Sequence, residues 1–293
     1  MAVSRLRFKS SGTGTKYIDL AKALSLQERR LHRQKQIYTV YGGYYVDTNG
    51  SRIDLNVAPL TWANKLAVNR AFKMWKKMTA KTLQDASATS KSRYRDFKVF
   101  LNEYMSSDPL NPKDSGDNQI QANPAEWDYT TLTTEDPDGP GGTPADQFEL
   151  HIVGPSKAGT GGSDTWARVG MLQSWFDSRP APEATQPNDI PDVTDPLMNL
   201  FDSSDVLDDR LVIINSEGDG PPYDENTAFG NAASAAADHN LQRVSTAIAS
   251  SANPVVPIHG FQALCGLVQL EFSGSDPGEY ELVLDVETKG ESF

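Results

Sequence analysis

Apolar and polar residues alternate with a period of two between Gln262 and Thr288, towards the C-terminal end of the chain. A period of two is typical of β-strands that bury one face. A turn-rich stretch at 273–278 separates two such runs, so the pattern predicts a β-hairpin in the core of a sandwich. The predicted inward residues are Leu264, Gly266, Val268, Leu270 and Phe272 in the first run, and Tyr280, Leu282, Leu284 and Val286 in the second.

A similar pair of runs predicts another hairpin over residues 37–58. Residues 37–47 are rich in tyrosine and β-branched side chains, and residues 53–57 return after the pair Asn49-Gly50. Asn-Gly is typical of the type I′ turn between two paired strands. Shorter runs predict further strands at 94–105, 147–153, 167–176, 210–215 and 255–259.

Apolar residues at helical spacing predict one clear helix over residues 61–83, with Thr61 as its cap. Four cations, Arg70, Lys73, Lys76 and Lys77, gather on the side opposite the apolar residues. Solvation alone accounts for such a face. No carboxylate accompanies the cations, however, and Lys73 and Lys77 repel each other at a spacing of four, so contact with phosphate is a second interpretation. A weaker helical pattern covers residues 20–36.

The layout of short strands, one amphipathic helix and long loops predicts a mainly β fold, an antiparallel β-sandwich in the form of a single jelly roll, with a compact double roll as the alternative. We divide the chain into a basic N-terminal arm, residues 1–36, and a jelly-roll domain, residues 37–293. Long loop insertions are expected at 106–146, 177–195 and 216–254, because turn-forming or acidic residues are frequent there.

Charge is distributed very unevenly along the chain. Its 293 residues carry a formal charge of −12, yet residues 1–100 hold 20 of the 27 Lys and Arg and only 6 of the 39 Asp and Glu. The first 100 residues therefore carry +14 and the rest −26. Such asymmetry suggests a polyanionic partner on one side of the molecule. Pairing of basic with acidic residues inside the fold is the alternative explanation.

The predicted arm holds nine basic residues and two acidic ones, and a Ser/Gly/Thr stretch at 10–15 interrupts it. We expect it to bind nucleic acid or a neighbouring subunit, with a disordered terminus as the alternative. If the arm neutralises about seven phosphates of a single strand, the logarithm of the binding constant should fall with the logarithm of the salt concentration at a slope of roughly −5. Its candidate nucleic-acid-binding residues are Arg5, Arg7, Lys9, Lys16, Arg29, Arg30, Arg33 and Lys35.

No motif in the chain indicates catalysis or a cofactor. Cys265 is the only cysteine, which excludes an internal disulfide, and its apolar neighbours predict a small core residue. The four histidines lie outside any HExxH pattern, and no serine has the glycines of a nucleophile elbow. We therefore predict no enzymatic activity, no metal and no cofactor. Acidic clusters at 202–209 and 217–225 leave calcium binding, or hydrolysis by paired carboxylates, as alternatives.

The start of the chain lacks the apolar segment of a signal peptide, and no apolar run is long enough to span a membrane. We expect a protein that is made inside a cell and has no membrane span.

Several segments resemble one family: Thr61-Trp62 leading into a basic helix with Trp75, the run of residues 94–100 (YRDFKVF), and residues 195–202 and 220–224. With the basic arm and the turn-rich β pattern, the chain resembles the jelly-roll capsid proteins of small icosahedral viruses. It is most similar to the coat proteins of small circular single-stranded-DNA viruses, although its arm is less arginine-dense than in many of them.

The resemblance implies a structural protein of the virion that self-assembles into an icosahedral shell. Its partners would be copies of itself and the viral nucleic acid, single-stranded DNA. The alternative is a β-sandwich binding module that recognises carbohydrate or protein through its long loops.

Overall fold

The protein is described by a computed structural model that covers residues 2–12, 14–84, 94–123, 126–133, 147–158, 166–178, 241–274 and 278–293. These residues form twelve strands and three helices. In chain order they are β1 (Val3–Ser11), β2 (Lys16–Asp19), α1 (Leu20–Glu28), β3 (Ile37–Val46), β4 (Ser51–Val57), α2 (Trp62–Gln84), β5 (Thr131–Thr133), β6 (Gln147–His151), β7 (Lys157–Ala158), β8 (Trp166–Gly170), α3 (Met171–Asp177), β9 (Gln242–Ile248), β10 (Val255–Leu264), β11 (Leu267–Gly274) and β12 (Glu279–Glu287).

Eight of the strands form two antiparallel four-stranded sheets, with the orders β1-β12-β3-β10 and β2-β11-β4-β9. The pairing runs inward from both ends of the sequence: β1 pairs with β12, β2 with β11, β3 with β10 and β4 with β9. Two further pairs, β12 with β3 and β11 with β4, join these into sheets. The predicted mainly β, antiparallel sandwich is therefore confirmed.

The core lies between the two sheets and takes alternate residues from their strands. Both faces that the C-terminal pattern marked as buried contribute to it, for example Leu270 from β11 and Leu284 from β12. Tyr38, Tyr45 and Phe8 are among the largest fully buried side chains. Each such side chain contributes roughly 1.5–3 kcal/mol on burial, which fixes the face that each strand turns inward.

Both predicted hairpins are wrong in their pairing, although their strands are correct. β11 and β12 follow each other in the chain but belong to opposite sheets, and so do β3 and β4. Asn49-Gly50 is not a type I′ turn, because only Gly50 has positive φ (82°). Asp47 stabilises the connection from β3 to β4 by accepting hydrogen bonds from the backbone N–H groups of Asn49 and Ser51. A period of two identifies the buried face of a strand, but it does not identify the neighbouring strand.

A sharp turn at Cys265 and Gly266 divides what the sequence presents as one continuous strand. Both residues have positive φ, 57° and 68°. Glycine is required at the second position because a Cβ there would lie 2.8 Å from Cδ2 of Tyr38. β10 before the turn lies in one sheet and β11 after it lies in the other. Cys265 is buried, as predicted, and burial raises the pKa of its thiol.

The first 36 residues depart from the arm that we expected. They supply β1 and β2, which are edge strands of the two sheets. Leu6 and Phe8 of β1 are completely buried in the core. Asp19 caps α1 by accepting a hydrogen bond from the Lys22 N–H, and the helix ends at Glu28 because Arg29 adopts a left-handed φ of 52°. The predicted helix over 20–36 is therefore too long.

The chain between β4 and β9 is a single long insertion. It opens with α2, which matches the predicted helix, and the Thr61 hydroxyl caps it by accepting a hydrogen bond from the Asn64 N–H at 3.2 Å. A small third sheet, ordered β5-β6-β8-β7, and α3 follow. Phe97 and Ile152 of the insertion share a second core with Leu264 and Leu267. The insertion therefore packs against the end of the sandwich that holds the β10–β11 turn.

The other strand predictions have mixed outcomes. β6 and β10 confirm the strands at 147–153 and 255–259. Residues 94–105 make only an isolated bridge, Phe100 with His151. Residues 167–176 are strand as far as Gly170 and then helix, and β9 lies within the expected loop 216–254. The predicted strand at 210–215 and both acidic clusters fall outside the described residues.

Candidate nucleic-acid interface

The twelve cations predicted to bind nucleic acid occupy three parts of the fold. Three of them (the β1 row: Arg5, Arg7 and Lys9) follow one another along an edge strand. Four others (the α2 face: Arg70, Lys73, Lys76 and Lys77) project from the helix. The remainder lie in β2 and in the segment that follows α1, and they are Lys16, Arg29, Arg30, Arg33 and Lys35.

The β1 row is paired with carboxylates of the neighbouring strand. Arg5 lies directly opposite Asp285 and donates to its two carboxylate oxygens at 2.7 and 2.9 Å. Arg7 reaches diagonally across the sheet and donates to Glu281 at 2.7 Å. Cross-strand neighbours of opposite charge stabilise a sheet edge. These two cations therefore serve the pairing of β1 with β12.

Lys9 completes the row with two carboxylates of its own. Its ammonium lies 2.9 Å from Asp117 and 3.0 Å from Glu279, and Asp117 also lies 2.6 Å from Arg7. The hydrogen bond from Lys9 lowers the pKa of Asp117, and the one from Arg5 lowers the pKa of Asp285. These acids stay ionised as counter-ions within the fold, so a phosphate would have to displace a carboxylate to bind here.

The cations around α1 are more dispersed. Lys16 is half-buried on β2, whereas Arg29, Arg30 and Arg33 are exposed in the segment after the helix. Arg30 approaches Glu28 only to 4.0 Å. Ion pairs as long and as exposed as this one contribute little to stability, so these arginines remain accessible to an anion.

The α2 face is exposed and lacks counter-ions. The helix contains no Asp or Glu. Arg70 donates a hydrogen bond to the Ser178 hydroxyl at 2.7 Å. Lys73, Lys76 and Lys77 have no acceptor or carboxylate partner within the described residues. Like charges this close repel one another, and a bound polyanion would relieve that repulsion.

Lys35, which we predicted as part of the arm, instead lies against α2. Its ammonium is 5.2 Å from the ring centre of Phe72 and 4.8 Å from that of Phe293, whose backbone carbonyl accepts a hydrogen bond from it. Burial and the nearby charge of Lys73 lower the pKa of Lys35. Both rings stabilise the ammonium through cation–π contact, and Lys35 adds a fifth cation to the surface around α2.

A cavity of about 320 Å³ lies beside α2, and the sequence patterns did not reveal it. Aromatic rings and side chains of both charges line it. Among them are Trp75, Tyr94, Arg95, Asp96, Lys98 and Tyr129. Its size is within the range of small-ligand sites in proteins.

Asp96 and Lys98 are the most unusual residues of this cavity. Only 9% and 4% of their surfaces are exposed. Burial raises the pKa of Asp96 and lowers that of Lys98. Oδ2 of Asp96 is buried with no hydrogen-bond partner among the described residues, and the Lys98 ammonium lies 4.7 Å from the ring centre of Trp127. Buried charges with perturbed pKa values in a cavity are a common property of functional sites.

Lys98 alternates with Phe97 and Val99 in the sequence, yet both faces of this segment are buried. The available signal was two opposite charges within an otherwise apolar run.

The described part of the chain contains no group of three or more His, Cys, Asp or Glu side chains suited to a metal ion. None of the three described helices has the length and apolar character needed to cross a membrane.

Comparison with known proteins returned no match to a family model, to a curated protein or to a solved structure. Strand order, surface charge and the cavity beside α2 are therefore the features from which a function can be inferred.

Proposed function

We propose that this protein is a viral coat protein, a single jelly roll whose copies self-assemble into an icosahedral shell around single-stranded DNA. The strand order carries the proposal. Pairing of the first strand with the last, the second with the second-last, and so on inward results when one long hairpin is wound into a sandwich. Eight-stranded jelly rolls of two sheets occur in viral capsids, lectins and cupins.

The interior and the surface of the sandwich favour the coat protein among these classes. The space between the sheets is filled by large apolar and aromatic side chains, including Tyr38, Tyr45 and Phe8, whereas a cupin-like site needs polar ligands there. The surface around α2 presents five cations without a carboxylate partner in the described residues, on a chain of net charge −12. Such local concentration of one charge attracts a polyanion.

In the proposed shell, the α2 face and Lys35 lie against the packaged strand. The β1 row has a different role, because its cations hold the edge strand to β12. About five phosphates neutralised by the α2 surface give an expected log–log salt slope of roughly −3.5 for a single strand. This value is shallower than the slope of roughly −5 expected from a free basic arm.

Negative-stain electron microscopy of the purified protein, with its absorbance ratio at 260 and 280 nm, tests the proposal. Uniform closed particles whose excess absorbance at 260 nm survives nuclease are the expected result. Particles without nucleic acid would contradict the role of the α2 face but would remain consistent with assembly into a shell. A monodisperse small species at every salt and protein concentration would overturn the shell and favour the binding module, since lectins share this strand order.

A further inference from the structure

The cavity beside α2 connects two features that the coat-protein proposal leaves unused: aromatic rings and a separated pair of buried charges. Trp75 belongs to α2 and lines the cavity, so the cavity wall is continuous with the helix that carries Lys73 and Lys76. Tyr94 is 61% exposed. Rings of this kind are the surfaces on which single-stranded bases stack.

Asp96 and Lys98 supply an acceptor and a donor side by side. Both line the cavity, and no direct ion pair joins them among the described contacts. Oδ2 of Asp96 is without a partner in the same part of the chain. Leaving a buried carboxylate oxygen unpaired costs free energy. A ligand that brings hydrogen-bond donors to Asp96 and an acceptor to Lys98 would remove that cost.

We infer that this cavity binds a guanine base of the packaged strand, a conclusion that rests on the proposed nucleic-acid function. Guanine presents two adjacent donors, N1–H and the N2 amino group, to a carboxylate such as Asp96. Its O6 acceptor lies next to them and can take a proton donor such as Lys98. Adenine, cytosine and thymine do not combine two adjacent donors with a neighbouring acceptor on one edge, so none of them pairs with Asp96 and Lys98 in this way. The sugar and phosphate would remain outside, along the α2 face.

Titration of the full-length protein with single nucleotides tests the pocket without any variant. Trp75 and Trp127 lie in and next to the cavity, so tryptophan fluorescence serves as the readout, with calorimetry as the check. We expect dGMP to bind at least about tenfold more tightly than dAMP, dCMP or dTMP. Deoxyinosine monophosphate lacks the N2 amino group and should bind about tenfold more weakly than dGMP. Equal affinities for all five, or no binding of dGMP at millimolar concentration, would overturn the inference.

Asp96→Asn separates base recognition from phosphate binding. The amide retains the shape of the side chain but offers a single acceptor, so the preference for dGMP over dAMP should disappear. Lys76→Gln is the matched control, because it removes a charge next to Trp75 without changing the charged pair. It should weaken the binding of all four nucleotides by a similar factor and leave the preference for dGMP over dAMP unchanged. Retention of the preference in folded Asp96→Asn would contradict the inference, and the inosine comparison decides it if that variant does not fold.

The titration distinguishes the pocket from the shell. Selective binding of dGMP by a protein that never forms particles would support guanine binding in the cavity and contradict the proposal of a coat protein. Nuclease-resistant particles formed by a protein that does not distinguish dGMP from dIMP would do the reverse.

Discussion

The β1 row and the lysines of α2 look alike in the sequence. Each places three cations within five residues, at positions 5, 7 and 9 and at positions 73, 76 and 77. In the folded protein they differ, because the cations of β1 meet Asp285, Glu281, Glu279 and Asp117. The lysines of α2 have no such partner in the described residues. The partners of β1 lie more than a hundred residues away, so charge counted in a local window cannot distinguish a neutralised surface from a free one.

The largest expected effect concerns the place of β1 in the core. Leu6→Ala and Phe8→Ala each empty a fully buried position, so we expect each to lower the free energy of unfolding by about 2–5 kcal/mol. Urea denaturation measures the change. Val3→Ala is the control, because Val3 is on the same strand but half exposed, and it should change the stability little. If Leu6→Ala has the same free energy of unfolding as the wild type, the place of β1 in the core is contradicted and a free arm is favoured.

The next effect separates the two cationic sets by their binding to DNA. Replacing Lys73, Lys76 and Lys77 together by Gln should make the salt slope for an oligonucleotide shallower by about 2, because three phosphate contacts are lost. Fluorescence anisotropy over a salt series measures the slope. The same three-charge change in the β1 row, Arg5, Arg7 and Lys9 to Gln, should leave it unchanged. If both triple variants make the salt slope shallower by the same amount, the distinction between the two sets of cations is wrong.

Thermal stability should respond in the opposite way. The triple variant of the β1 row loses five ion pairs to four carboxylates and should melt at a lower temperature than the wild type. The triple variant of α2 loses only mutual repulsion between like charges, so its melting temperature should stay the same or rise. Differential scanning calorimetry of the two variants checks the sign. A larger destabilisation in the α2 variant would show that its lysines have structural partners.

The smallest effect is a dependence on pH. The pKa values of Asp117 and Asp285 are lower in the folded protein than their ordinary value, mainly because Lys9 and Arg5 donate to them. A lowered pKa contributes stability that is present at neutral pH and is lost as pH falls below about 5. The β1-row variant should lose less stability than wild type over this range, whereas the α2 variant should follow wild type. Parallel curves for wild type and the β1-row variant would contradict the role of these pairs.

The sequence predicted local structure well and long-range pairing poorly. The α2 helix, its Thr61 cap and the inward faces of β11 and β12 could be identified because helical spacing and alternation are local properties. The assignment of β11 to one sheet and β12 to the other could not, because alternation does not specify the neighbouring strand. At β1 the signal was present, since Leu6 and Phe8 alternate with the cations of the row, but the charges suggested an arm instead.

The candidate site was predictable in part for the same reason. The cations of α2 follow from its helical period, whereas the cavity depends on Trp75, Asp96 and Tyr129, which come from separate segments. Burial of Lys98 could not be read from a segment that alternates, because alternation indicates one exposed face.

The pairing of the first strand with the last has a consequence for synthesis. β1 is translated long before β12, which is its only partner strand within the described part of the chain. At roughly 5–20 residues per second, β1 waits on the order of 15–60 seconds with Leu6 and Phe8 uncovered. The sandwich therefore closes only after translation of β12. Under the proposed function, shell assembly would draw on completed subunits and would not begin on nascent chains.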